Sequence, residues 1–172
     1  MALSVLKSLM KEITEDNYDK VLNQNFMKSY QYWLSSGGQV TLDQFRKLNP
    51  DDRAFLLDYL EEFQLYNEFT LNGEKYVLVH ADIAGEEKDR PLENCGIEDL
   101  IFTQADYSKI YSSSYYLVTG HTPTFKIDME YAGKIYRKNR HIAIDCGCVW
   151  GKDLGMYCFD TGECIYSSAR EK

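Results

Sequence analysis

The hydrophobic period of this chain changes once, near Leu65. Before that point apolar residues recur at every third or fourth position, as one buried helix face requires. Leu3, Leu6, Leu9, Met10 and Ile13 form one such face. Tyr18, Leu22, Phe26, Tyr30 and Trp33 continue it in a second helix, which Gly37-Gly38 ends. Thr41-x-x-Gln44 reads as a capping box for a short helix over 42–48. Asn49-Pro50 opens the next helix, with Asn as the N-cap and Pro where no amide is needed. Asp51 and Asp52 suit its positive end, and Phe55, Leu56, Tyr59, Leu60 and Phe63 make its predicted buried stripe. After Leu65 the chain reads as strands. Residues 65–71 and 74–79 flank Asn72-Gly73, whose positive φ angles suit a tight hairpin. Residues 82–94 are polar and read as a long loop, and 97–102 as a short helix. Further strands are predicted over 115–118, 125–131, 134–136, 141–144, 155–159 and 163–166, with turns at Ala132-Gly133 and Asp160-Thr161-Gly162. The expected fold class is α+β or α/β, helical in its first third and β-rich afterwards. A length of 172 residues fits one domain over 1–172.

Composition narrows the function classes. A net charge of −8 opposes general nucleic-acid binding, which needs cations to neutralise phosphates. No stretch is long and apolar enough to span a bilayer. Residues 1–11 lack a signal-peptide pattern, so the expected compartment is the cytoplasm. The odd count of five Cys then reads as free, buried thiols. A zinc site built from Cys146, Cys148, Cys158 and Cys164 would lack the paired C-x-x-C knuckles of structural zinc.

The histidines carry the functional signal. The chain has three, and two end apolar runs: Tyr76-Val77-Leu78-Val79-His80-Ala81 and Val118-Thr119-Gly120-His121-Thr122-Pro123. The Pro after the second is expected to stop a helix from starting there. An imidazole on a tight turn at a strand end is placed to bind a metal or a phosphate, and a structural role is open to it as well. His141 lies among Arg137, Lys138 and Arg140 and reads as a surface or strand-edge residue. Asp145 ends a strand in the same manner as His80 and His121. It either orients a ligand or forms the turn before Gly147.

Val79-His80-Ala81, Gly120-His121-Thr122-Pro123 and Ile144-Asp145-Cys146-Gly147-Cys148, in this order, resemble the bacterial and phage branch of the phosphoprotein phosphatases. These belong to the calcineurin-like metallophosphoesterases. Trp33-Leu34-Ser35-Ser36-Gly37-Gly38 and Asp160-Thr161-Gly162-Glu163 extend the similarity over nearly the whole chain. The resemblance implies a β-sandwich flanked by helices and a centre of two divalent metals (Mn, Fe or Zn). It implies hydrolysis of a phosphoester, typically on Ser or Thr of a phosphoprotein. It makes His80 and His121 ligands of the second metal, with Asp145 and Thr122 supporting them from behind.

The sequence departs from that family in three ways. G-D-x-H-G, G-D-x-x-D-R-G and G-N-H-[DE], which supply the remaining ligands and the general acid, do not occur. The chain therefore reads as a C-terminal portion without an assigned catalytic residue, inactive when isolated. Gln104 stands where relatives carry a phosphate-gripping Arg, and it would bind substrate without that charge. Asp82 replaces the Gly after V-H-A and adds a carboxylate, as a ligand or within the loop. Two alternatives remain: a pseudophosphatase that binds a partner without catalysis, and a relative acting on dinucleoside polyphosphates. If strands of the sandwich are missing, an apolar sheet face is left exposed, and a homo-oligomer is expected to cover it.

Overall fold

The computed structural model describes residues 2–83 and 91–167. The chain divides into two compact units, Met1–Phe63 and Gln64–Lys172. Together they make a mixed α+β protein, helical first and β-rich afterwards. No helix among the described residues is long and apolar enough to cross a membrane.

The first unit contains α1 (Ala2–Leu9), α2 (Tyr18–Val21), α3 (Gln24–Trp33), α4 (Gln39–Lys47) and α5 (Pro50–Glu61). Leu6, Leu42, Phe45 and Leu57 are its buried centre. The single helix predicted through Tyr18 and Trp33 is broken. Asn23 leaves the helical conformation and its side chain accepts the Phe26 amide at 2.9 Å, starting α3 afresh. Gly37 takes φ +92°, and a Cβ on Gly38 would lie 2.5 Å from the Trp33 ring. The chain then enters α4 at once, so Thr41 lies inside a helix and is not the predicted cap. Asn49 does cap α5, accepting the Asp52 amide at 2.8 Å. The stripe of α5 faces differently from expectation. Leu56 and Leu57 pack inward, whereas Phe55 (75%), Tyr59 (52%) and Phe63 (62%) are exposed. The helical offsets that join Arg53, Leu56, Leu57 and Leu60 leave these aromatics on the neighbouring face. Arg53 closes the end of α4 by donating to the carbonyls of Phe45 and Arg46.

The second unit is built on a five-stranded mixed sheet, ordered β1 (Tyr66–Leu71), β2 (Glu74–Val79), β3 (Tyr115–Thr119), β5 (His141–Ala143) and β4 (Tyr136–Lys138). The Asn72-Gly73 turn joins β1 to β2 with φ +52° and +82°, as its sequence predicts. β2, β3 and β5 run parallel, and the edge strands run antiparallel to them. Successive residues of β2 serve opposite faces. Val77 and Val79 pack with Leu117, Leu92 and Leu100, the last on α6 (Ile97–Phe102). Tyr76 packs with Val118, Ile142, Tyr157 and Phe159 on the other face. Tyr157 belongs to the hairpin of β6 (Leu154–Tyr157) and β7 (Cys164–Ser167). The five-stranded sheet is thus covered on both faces. Exposed apolar side chains lie elsewhere in the unit, among them Leu154, Met156 and Ile165 on the hairpin and Met129, Val149 and Trp150 on turns.

One predicted strand is absent. Residues 125–131 form α7 (Thr124–Ile127) and a single 3-10 turn, Met129–Tyr131. Thr124 is tied at both ends of its backbone and side chain, to the Asp145 carbonyl (2.8 Å) and to the Tyr131 carbonyl (2.8 Å). Pro123 does not block this helix. It precedes the first turn, where its missing amide costs nothing. The predicted loop over 82–94 ends in a 3-10 turn, Leu92–Asn94, and its residues 84–90 lie outside the described residues.

Candidate functional site

Three parallel strands end level with one another. Val79 of β2 is in register with Thr119 of β3, and Thr119 with Ala143 of β5. The residues that follow therefore emerge together along one sheet edge: His80, then Gly120-His121, then Ile144-Asp145. The C-terminal edge of parallel strands is where open α/β sheets place their sites. Backbone bonds fix the turns there. The Gly120 amide donates to the His80 carbonyl (3.0 Å) and the Ile144 amide to the Thr119 carbonyl (2.8 Å).

The His80 and His121 rings face each other at 5.0 Å between centroids, inclined by 63°. His121 holds φ +61°, in the left-handed region. For a residue with a Cβ this costs about 1–2 kcal/mol. The turn is tight, with the Thr122 amide 2.6 Å from the Gly120 carbonyl. Burial of its inner side holds His80 below the ordinary imidazole range, and the neighbouring His121 pushes the same way. Asp145 acts against them from nearby. At neutral pH the His80 ring is uncharged and retains a lone pair for an electrophile.

Asp145 forms the turn. Its Oδ1 accepts the Gly147 amide at 3.0 Å, and Gly147 supplies φ +84°. Thr122 is buried. Gln104 is exposed. Asp82, by contrast, is buried, with Oδ2 3.4 Å from the Tyr111 hydroxyl. Among the described residues no group of three His, Cys, Asp or Glu side chains converges closely enough to hold a metal ion. The two imidazoles are two donors of an incomplete shell, and these residues alone do not make a metal centre.

His141 is not at the surface. It is 1% exposed because β5 lies inside the sheet, between β3 and β4. Its Nε2 lies 3.0 Å from the Lys109 carbonyl, and its ring packs edge-on to Tyr107 (5.2 Å) and Tyr111 (4.8 Å). Burial holds it below the ordinary imidazole range. The Arg137, Lys138 and Arg140 side chains that suggested exposure point elsewhere: Lys138 pairs with Asp128 (3.1 Å) and Arg140 with Glu74 (2.9 Å). Tyr107 and Tyr111 were not singled out by sequence reasoning. The only signal was two Tyr four positions apart in a segment without helical or strand period.

All five Cys are free. Cys146 is buried, and burial pushes its thiol up to about 11, which keeps it unreactive. Cys148 is exposed, against the expectation of buried thiols. It opens the 3-10 turn Cys148–Trp150.

Comparison with protein-family models gives no match. Comparison with curated proteins gives none either.

Proposed function

We propose that this chain carries the paired histidines of a calcineurin-like metallophosphoesterase of the serine/threonine phosphatase type. In this reading His80 and His121 are two ligands of a divalent metal (Mn, Fe or Zn), within the C-terminal part of that family's β-sandwich. The observation that carries it is the convergence of the two rings, 5.0 Å apart, at the ends of adjacent parallel strands. The lowered His80 pKa fits a neutral nitrogen ligand. Two imidazoles leave at least two positions of a tetrahedral shell for groups outside this pair. The sequence does not hold the family motifs that would provide the carboxylates, so the isolated chain is inactive toward phosphoesters. When bound, the metal would polarise a phosphoryl oxygen and activate water. This chain's own contribution is to hold two nitrogen donors at a fixed spacing.

A second reading, a module that binds a phosphorylated partner without hydrolysis, draws on exposed Gln104 and on the incomplete donor set. One experiment addresses both. Mn and Zn are titrated calorimetrically into the chain and into His80→Ala and His121→Ala, with p-nitrophenyl phosphate turnover measured in parallel. Binding lost in both variants, without turnover, is the expected result. Equal binding in wild type and variants, or its absence, refutes the ligand role. Turnover abolished by His121→Ala refutes inactivity.

A further inference from the structure

The segment from Gln104 to Tyr111 runs beneath both histidine turns, and it carries one tyrosine for each. The Tyr107 hydroxyl lies 2.9 Å from Thr119 Oγ1, with both residues buried, and buried Thr122 is close beside it. Thr119 and Thr122 flank Gly120-His121, so this one hydroxyl holds the strand end that enters the left-handed turn and borders the residue that leaves it. Four residues on, the Tyr111 hydroxyl accepts the Asp106 amide at 2.7 Å and lies 3.4 Å from Oδ2 of buried Asp82. Asp82 is two residues beyond His80. His141 fills the space between the two tyrosine rings. The Tyr107 carbonyl is itself anchored, by Asn139 Nδ2 at 2.9 Å and the Tyr136 hydroxyl at 3.3 Å.

We propose that this segment is a strap that sets the spacing of His80 and His121, with Tyr107 and Tyr111 as positioning residues, one beneath each turn. The inference deepens the metal-ligand reading above and rests on it only where a metal is used as the probe. A left-handed His persists only where its surroundings over-determine it. Here the backbone fixes Gly120, but the direction of the imidazole depends on the turn that Tyr107 holds. Outer hydrogen bonds of this kind typically change metal affinity by about 10–100-fold when removed.

The test compares Tyr107→Phe, Tyr111→Phe and Tyr136→Phe in the full chain. Tyr136→Phe removes a hydroxyl that touches the strap without reaching either turn, and it controls for loss of stability alone. The first readout needs no metal: the nuclear Overhauser effect between the His80 and His121 ring protons. It should weaken in Tyr107→Phe and Tyr111→Phe, with sheet amide shifts retained, and stay unchanged in Tyr136→Phe. The second readout is Zn affinity by calorimetry, expected to fall about tenfold or more in Tyr107→Phe and by less than twofold in Tyr136→Phe. Unchanged ring contact in Tyr107→Phe overturns the proposal, as does an equal change in the Tyr136→Phe control. If the wild type binds no Zn, the ligand reading fails, and the ring contact alone decides the strap. Should Tyr107→Phe not fold, Thr119→Val removes the same bond from the other side.

Discussion

His121 offers a direct measurement of what the turn costs. Its φ of +61° places a β-carbon where only glycine is at ease. Relief of that strain by His121→Gly should return about 1–2 kcal/mol. The added freedom of glycine in the unfolded chain takes back about 0.4–1 kcal/mol. The exposed His121 side chain loses little else. The expected result is that His121→Gly is more stable than wild type by about 0.8 kcal/mol, the middle of the roughly 0–1.6 kcal/mol that those two ranges allow. His121→Ala keeps the strain and gains nothing. At an ordinary extended or helical position glycine is the less stable of the two by about 0.5–1 kcal/mol, so the order of Gly and Ala is itself diagnostic. Hydrogen exchange of the β3 and β5 amides is the suitable assay, because it reports the second unit separately from the first. The Ile144 amide, bonded to the Thr119 carbonyl, is the best single probe. His121→Ala equal to or more stable than His121→Gly would refute the reasoning. The same Gly variant should lose metal binding, so that stability and function separate at one residue.

Burial of His141 predicts acid sensitivity. Its folded pKa lies below the unfolded value near 6.5, so its neutral form favours the native state above that pH. That contribution is lost as pH falls from about 6.5 through the lowered folded pKa. His141→Gln should flatten the stability slope between pH 7 and 5 in hydrogen exchange, and an unchanged slope would count against it. Gly147→Ala should cost about 1–3 kcal/mol in thermal or urea unfolding. The new methyl would meet the Phe125 ring at 2.9 Å at a φ of +84°, and a loss under about 0.5 kcal/mol would show that the turn relaxes freely. The exposed Leu154, Met156 and Ile165 predict self-association of the hairpin. Light scattering at micromolar concentration should report a dimer that Met156→Lys dissociates, and a monomeric wild type would end that expectation.

Much of the helical unit and the positions of most strands along the chain were legible in the sequence, because capping and turn residues act locally. Asn49-Pro50 and Asn72-Gly73 each specify their own geometry whatever surrounds them. The α5 stripe was not legible in the same way. Phe55, Tyr59 and Phe63 obey a helical spacing as well as the leucines do, and only packing chooses between two neighbouring faces. Residues 125–131 failed for a related reason. Short apolar runs fit either period, and the ties from Thr124 to Asp145 and Tyr131 come from outside the run. In the site, His80, His121 and Asp145 could be found because each lies within two residues of a strand's end. Tyr107, Tyr111 and His141 could not, since their roles rest on contacts between segments 12 to 32 residues apart.

The order of the sheet also has a consequence for how the protein reaches its native state. β1 and β2 close on each other through a two-residue turn, and β4 and β5 through Asn139-Arg140. Each is a local event that forms early. β3 pairs with β2 only across the long connection between them, and with β5 only across residues 120–140. Placing it between the two hairpins requires closure of a long connection for each neighbour, and by this topology it is expected to be the slowest step. His80 and His121 first meet in that step. A chain halted short of it has two finished hairpins with open edges, prone to pair with other chains. The joining of the imidazole pair therefore marks the completion of folding, and anything that binds both rings would select the finished molecule from its precursors.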